Sequence, residues 1–413
     1  MKSPYVFKQC PVCGYSVAKM VFDAGVKPLA TIAWAKTRIE ANAVQSFKQE
    51  YIQCLNCSHV WNHLFDWENV PYQDKPNNMY NSGTQWVKHT ERLKEWLSKQ
   101  IPLNPTIVDI GCGDGSFLST MANQFNLKGN FLGFDPSGNV NVDRSNISFN
   151  RSLFKPLEDT ANYKPDLILM RHVIEHLTAP SSFLHSLAWG ASSYDNKTYL
   201  YCEVPCIDRV FETGRLSDFY YEHPSQFTTS SFTKMLSTSG KVIDIHQVYD
   251  GEVICGLIEL TPSDYQAKIN RSADLYYSAL FSSIPRINEE LKKRAKDGEL
   301  MAIWGGTGKC AAFMHHYNIS STDIPIVVDS DERKWGTYVP GVGQEIKRPT
   351  YLLDHPIKVL IIPTQWRAQD ILIEAKSLGI KYTQALIEHE GKLLDFINDN
   401  HPYDKTKLGK ILK

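Results

Sequence analysis

The sequence predicts an α/β protein in three parts, and three observations support this. Residues 1–75 carry two paired-cysteine turns in irregular, aromatic-rich text. Residues 76–262 alternate short apolar runs with stretches of helical periodicity. Residues 263–413 repeat that alternation on a smaller scale after a long helical stretch.

The chain of 413 residues is 42% hydrophobic and 22% charged, enough apolar content for two or three separate cores. Lys plus Arg number 44 against 45 Asp plus Glu, a net charge of -1, so no electrostatic footprint for nucleic acid is present. Four lysines between Lys405 and Lys413 read as a solvated terminus. Met1 to Gln9 lacks the apolar core of a signal peptide, and no stretch approaches the ~18 apolar residues of a membrane helix. The expectation is a cytoplasmic protein with no membrane partner, whose nine cysteines serve as thiols and metal ligands rather than disulfides. With no obvious association helix, a monomer is expected.

Taken in order, the first part has little sustained periodicity and makes a poor core unaided. Cys10-Pro-Val-Cys13 and Cys54-Leu-Asn-Cys57 offer four thiolates for a tetrahedral metal, with Gly14 just beyond the first turn. The 40 residues between the pairs require an inserted hairpin or subdomain. Unrelated buried cysteines or a redox pair are the alternatives. A zinc held this way is structural, because four sulfurs leave no position open for water.

In the second part Trp86, Leu93, Trp96 and Leu97 recur at helical spacing, and Thr106 to Ile110 reads as a buried strand. Asp114 to Gln124 reads as helix, with strands at Phe131 to Asp135, Asp166 to Met170 and Thr198 to Val204. Val242 to Val248 and Val253 to Leu260 form a hairpin across Asp250 and Gly251. Strands separated by helices imply a mostly parallel sheet covered on both faces. In the third part a helical stretch from Pro262, including Ile287 to Arg294, leads to strands at Met301 to Trp304, Ile324 to Val328 and Val359 to Ile362. Its end, Leu386 to Ile397, reads as helix.

After the first strand comes Asp109-Ile110-Gly111-Cys112-Gly113-Asp114-Gly115, entering a helix. Glycines at alternate positions let the backbone turn tightly and approach a ligand that a Cβ would exclude. The spacing is not that of the dinucleotide fingerprint. Twenty residues past Gly115, the next strand ends in Asp135, whose carboxylate suits the two hydroxyls of a ribose. Strand, glycine loop, helix, strand and acid in this order resemble the Rossmann-like class I S-adenosylmethionine-dependent methyltransferases. The resemblance implies cofactor binding by Asp109, Gly111, Gly113, Gly115, Asp135 and Pro136, with His172 at the neighbouring strand end.

His172-Val-Ile-Glu175-His176 also matches H-x-x-E-H, the pattern of one zinc peptidase class. It follows directly on a strand, where the methyltransferases carry a similar V-x-E-H-L run, and this context places His176 near the sulfonium or the substrate. Tyr220-Tyr221-Glu222-His223 is by itself either a hydrogen-bonded loop or a catalytic cluster. With a four-cysteine first domain and a trailing α/β domain, the whole chain resembles the sugar C-methyltransferases that act at C-3 of nucleotide-linked 4-keto-deoxysugars. Their Y-x-E-H motif fits Tyr220, Glu222 and His223. Their aromatic-serine motif is similar to Tyr80-Asn-Ser82-Gly83, and their G-x-x-P-L-A stretch to Gly25 through Ala30.

The resemblance implies His223 as the base that removes a proton beside a ketone, with Glu222 orienting its ring or holding its charge. Tyr80, Tyr220 and His176 are implied to bind the keto oxygen or a neighbouring hydroxyl, and Ser82 to contact the substrate. The third part reads as a Rossmann-like unit that either docks the sugar nucleotide's diphosphate or serves as a purely structural lid; its turn Gly305-Gly306-Thr307-Gly308-Lys309 suits anion capture by backbone N–H groups and Lys309, although the family more often has a G-A-x-x-K-G-like turn here. Its Asp329 to Gly341 run fits the family well, whereas Thr364-Gln365-Trp366-Arg367 departs from it. Methylation of oxygen or nitrogen, and a noncatalytic protein that merely binds S-adenosylmethionine, remain the competing readings.

Overall fold

A computed structural model describes residues 4–31, 35–72, 83–124, 128–137, 147–403 and 405–406. Tyr80 and Ser82 lie outside the described residues. The chain forms two compact units, 1–267 and 268–413. Among the described residues no helix is long and apolar enough to cross a membrane.

The first unit opens with strands β1 (Tyr5–Val6), β2 (Ala18–Pro28), β3 (Ser46–Cys54) and β4 (Val60–Asn62). The β2–β3 hairpin, with bulges at Met20/Phe22 and Asp23/Gly25, is the insertion that fills the gap between the cysteine pairs. Each pair sits on a tight turn closed by backbone hydrogen bonds, Gly14 N–H to Cys10 O at 2.9 Å and Ser58 N–H to Cys54 O at 3.1 Å. Both turns need a left-handed residue. Gly14 (φ 75°) supplies it in one and Ser58 (φ 64°) in the other.

The larger sheet of this unit contains β5 (Thr106–Ile110), β6 (Asn130–Phe134), β7 (Ile147–Asn150), β8 (Leu167–Arg171) and β9 (Tyr199–Pro205). After β10 (Ser225–Gln226) it resumes with β11 (Gly240–Val248) and β12 (Val253–Leu260). The spatial order is β11-β12-β9-β8-β5-β6-β7. Strands β5 to β9 pair in parallel, and β11 and β12 form the expected antiparallel hairpin. Leu167 through Met170 are wholly buried, as a central parallel strand covered on both faces requires. The helix Thr84–Ser98 buries Leu93 and Leu97 as its spacing predicts.

One strand crosses between the two sheets' sequence regions. The smaller sheet runs β1-β2-β3-β4-β10, and β10 pairs with β4 through Ser225↔Trp61 and Gln226↔Val60. The segment directly after His223 is therefore built into the cysteine-bearing sheet.

The second unit contains β13 (Met301–Trp304), β14 (Ile326–Val328), β15 (Ile346–Lys347), β16 (Val359–Ile361), β17 (Gln384–His389) and β18 (Lys392–Asp395). Its order is β15-β14-β13-β16-β17-β18, parallel except for the last pair. The helix expected over Leu386 to Ile397 is instead the β17–β18 hairpin. Glu390 (φ 47°) and Gly391 (φ 69°) form a two-residue left-handed turn, the geometry that suits strand twist. Ala385, Leu386 and Ile387 are buried in succession, so the alternation that marks a half-exposed strand is missing.

Candidate active site

Strand order in the larger sheet reverses between β5 and β8, so the segments leaving them diverge and open a crevice at their carboxyl ends. A solvent-open cleft of about 790 Å³ lies there. Ile110, Gly111, Phe134, Asp135, Pro136 and His172 line one part, and Trp67, Tyr72, Phe154 and His176 another.

The glycine loop is tied to the end of β6. Gly111 and Cys112 donate backbone N–H to Phe134 O at 2.8 and 3.2 Å, and Gly113 N–H reaches Asp135 Oδ2 at 3.1 Å. Asp135 Oδ1 accepts from Ser137 N–H and Oγ–H, which fixes the carboxylate at the cleft edge. Gly111, Gly113 and Gly115 all have positive φ. A Cβ on Gly111 would sit 2.4 Å from Val173 Cγ2. Gly111→Ala is expected to weaken S-adenosylmethionine binding at least ~10-fold through strain and displaced backbone, as titration calorimetry would record. Unchanged affinity would detach this loop from the cofactor.

Asp109 is buried behind this wall. Burial pushes its carboxyl up to about 7, against the pull of Arg171. Gly113 and Gly115 shape the turn without lining the cleft.

Beyond β8 the chain turns sharply. His172 has φ 54° and is held by its N–H to Glu203 O at 2.9 Å. A 3-10 turn, Ile174–His176, follows in place of a regular helix, so the H-x-x-E-H histidines do not share a helical face. Burial opposes the charged form of His172, but its contact with Glu175 at 3.3 Å outweighs that and raises its basicity. Glu203, fully buried, accepts from Arg171 Nε at 2.9 Å and Tyr201 at 2.8 Å, with His89 Nε2 at 3.2 Å. Burial favours its protonated form, and Arg171 overcomes this, holding Glu203 well below the usual carboxylate range.

His176 Nδ1–H donates to Glu222 O at 2.6 Å, and the Tyr72 hydroxyl lies 3.0 Å from the same nitrogen. Tyr72 stacks on Trp67 at 4.4 Å and donates to Glu222 O at 3.1 Å. His223 lies edge-on to His176 with ring centroids 4.6 Å apart, and the Tyr220 hydroxyl is 3.1 Å from its Nε2. Burial pushes His223 well below the ordinary imidazole range, and His176 and His172 add to the effect. His223 and Tyr220 line a smaller cavity of about 380 Å³ with Asp218, Gln226 and Glu252. His176 lines the cleft and His223 the smaller cavity, and the two rings are in contact.

The Y-x-E-H segment is clamped from the cysteine-bearing side. Glu222 Oε1 accepts from Ala30 N–H at 2.8 Å, Thr31 N–H at 2.7 Å and Thr31 Oγ1–H at 3.2 Å. Tyr51 donates to Tyr220 O at 2.9 Å, and the Tyr221 hydroxyl accepts from Asp66 N–H and Asn69 Nδ2–H, both at 3.0 Å. The Glu222 carboxylate thus ties the motif to the Gly25–Ala30 stretch.

The four sulfurs of Cys10, Cys13, Cys54 and Cys57 lie within 4.8 Å of one another, with Cys10–Cys57 at 3.6 Å and Cys13–Cys54 at 3.5 Å. Zinc–sulfur bonds of ~2.3 Å put tetrahedral sulfurs about 3.8 Å apart, so the set fits one such ion. Four thiolates at this spacing repel one another unless a cation lies between them.

In the second unit Lys309, exposed at the start of the helix Lys309–His316, follows the glycine turn after β13. The Gly306 N–H donates to Asp329 Oδ2 at 2.9 Å, and Lys334 pairs with the same oxygen at 2.9 Å.

Spacing did not reveal Tyr72, which lies in irregular text. Nor did it reveal the Arg171–Glu203 pair; its only trace is one charge in the carboxyl-terminal half of each of two otherwise uncharged strands.

Residues 84–243 match a methyltransferase domain family, and residues 272–387 match the C-methyltransferase C-terminal domain. Among solved structures, the chain is similar to the plantazolicin methyltransferase BpumL in complex with SAH, with 17% identity, a TM-score of 0.32, and coverage of 43% of this chain and 85% of that one. It is also similar to a SAM-dependent methyltransferase from Aquifex aeolicus, with 16% identity, a TM-score of 0.30, and coverage of 42% and 98%. The N-methyltransferase NodS from Bradyrhizobium japonicum WM9 shows 13% identity, a TM-score of 0.30, and coverage of 44% and 89%. No curated protein matches the chain. The protein is an S-adenosylmethionine-dependent methyltransferase. Its second unit carries the C-terminal domain of the C-methyltransferases.

Proposed function

We propose that the protein methylates a carbon next to the ketone of a nucleotide-linked keto-deoxysugar, with His223 as the base. The observation that carries this reading is a half-buried imidazole beside the cofactor cleft, with the Tyr220 hydroxyl 3.1 Å from its Nε2 and its charged form disfavoured by its surroundings, in a chain whose second unit matches a C-methyltransferase domain. The cleft residues fit S-adenosylmethionine: Gly111 lets the backbone approach closely, Asp135 holds acceptors at the edge, and Phe134 and Phe154 offer apolar walls. When bound, that cofactor supplies an electrophilic methyl on a positively charged sulfur.

A ketone's neighbouring C–H is far less acidic than any side chain, so the base acts together with stabilisation of the enolate oxygen. His223 takes the proton as the C–H bond breaks, and the electron pair delocalises onto the ketone oxygen. Tyr220 is near enough to His223 to donate to that oxygen, while His176, whose Nδ1–H is taken by Glu222 O, offers its Nε2 as an acceptor to a neighbouring hydroxyl. The enolate carbon so formed is the nucleophile that S-adenosylmethionine, held by the Gly111 loop and Asp135, would methylate with loss of the sulfur as its leaving group. Methylation of oxygen or nitrogen would not need His223 as a carbon base, and the match of the second unit to a C-methyltransferase domain ranks carbon methylation above both. Zinc at the four cysteines is structural in this scheme, and Lys309 in the second unit is assigned to the nucleotide's diphosphate.

The test is a panel of nucleotide keto-sugars in deuterated water, followed by NMR. Exchange of a C–H beside the ketone and a new C–CH3 signal are expected. Products bearing O–CH3 or N–CH3 would overturn the proposal.

A further inference from the structure

Two carboxylates are buried near His223, and they differ in what already holds them. Glu222 Oε1 accepts from Ala30 and Thr31. Glu175 is 1% exposed, and neither of its oxygens has a hydrogen-bond donor in good geometry among the described residues. Its near neighbours are imidazoles. His172 Nδ1 is 3.3 Å away, and the carboxylate and nitrogens of His176 and His223 lie within 4.8 Å of one another. Arg171 is committed to Glu203 at 2.9 Å.

We propose that Glu175 is the counter-charge for the proton that His223 takes from the substrate. The inference rests on the reading of His223 as the base. The groups facing that imidazole are Tyr220 on its own turn, Glu175 and His176 from the 3-10 turn, His172 from the end of β8, and Asp218 and Glu252 in the small cavity. The neighbouring histidines oppose an imidazolium there. Asp218 and Glu252 are both paired with Arg215, at 3.2 and 2.7 Å, so their charge is largely spent. Glu175 already faces His172 at 3.3 Å, but unlike Asp218 and Glu252 it is paired with no arginine or lysine among the described residues, and it is the carboxylate placed to balance the new positive charge, in a site where low polarity strengthens the interaction. No co-reactant is needed: the C–H bond breaks, the proton resides on His223, and the Glu175 anion stays in place. Glu175 acts through His223 and is a positioning residue.

The experiment compares the wild-type chain with Glu175→Gln, Glu175→Asp and His223→Asn, measuring kcat, KM, the pH profile of kcat/KM, substrate C–H exchange and metal content. Glu175→Gln should lower kcat and exchange about 100-fold while KM stays within about threefold. The acid limb of the profile should move to lower pH, because an imidazole without its counter-charge releases its proton more readily. Glu175→Asp should recover much of the rate, and its profile carries the test if the glutamine variant does not fold. An unmoved acid limb with kcat near wild type would overturn the inference. So would loss of a second metal equivalent, which would make the trio a metal site. Exchange that survives in His223→Asn would overturn the base assignment itself, whatever Glu175 does.

Discussion

Replacing His223 with alanine is expected to lower turnover by about 10³-fold or more, the range for losing a general base, while affinity for S-adenosylmethionine is expected to stay within about twofold. The separation of effects follows from position. His223 lines the smaller cavity with Tyr220, whereas the cofactor cleft is walled by Gly111, Asp135, Pro136 and His172. Calorimetry and steady-state rates on the same preparation check both halves, and turnover within tenfold of wild type would remove the base. A pH consequence accompanies it. Burial lowers the folded-state basicity of His223 below the ordinary imidazole value, so the neutral form that accepts a proton persists as pH falls through the usual imidazole range. The wild-type kcat/KM should therefore stay flat from pH 8 down to about 6.5, where an unperturbed histidine would already be half protonated.

Cys54→Ser is expected to have the largest effect on stability. Zinc content should fall from one equivalent to none, with Tm lower by more than ~10 °C, because a structural zinc site contributes on the order of 10 kcal/mol. Activity should fall with it, although none of the four cysteines lines the cleft. The connection runs through β10 on β4 and through Glu222 on Ala30 and Thr31. Metal analysis and thermal melts, with a chelator acting on wild type as a parallel, check this. Full zinc content in the variant would refute the four-thiolate site.

Much of the fold was legible because the core strands are short, mostly apolar and set between helices. Thr106–Ile110 and Met301–Trp304 fall where the sequence puts them. The β17–β18 hairpin was misread because a strand buried on both faces loses its alternation and resembles a buried helix. The glycine loop, Asp135 and the Tyr220–His223 run were legible because each is local in sequence. Arg171 and Glu203 meet only because β8 and β9 are neighbours in register, which spacing does not encode. Likewise, Ser225–Gln226 joins β4 only through the fold, and no local pattern in the sequence marks that pairing.

That borrowed strand bears on attempts to recombine this enzyme with others. Residues 4–72 do not form a self-sufficient cassette, because their outermost edge is filled by Ser225–Gln226 from far along the chain. A chimera that swaps the cysteine-bearing portion must import the 220–227 stretch from the same donor, or the graft will present an unmatched edge beside His223.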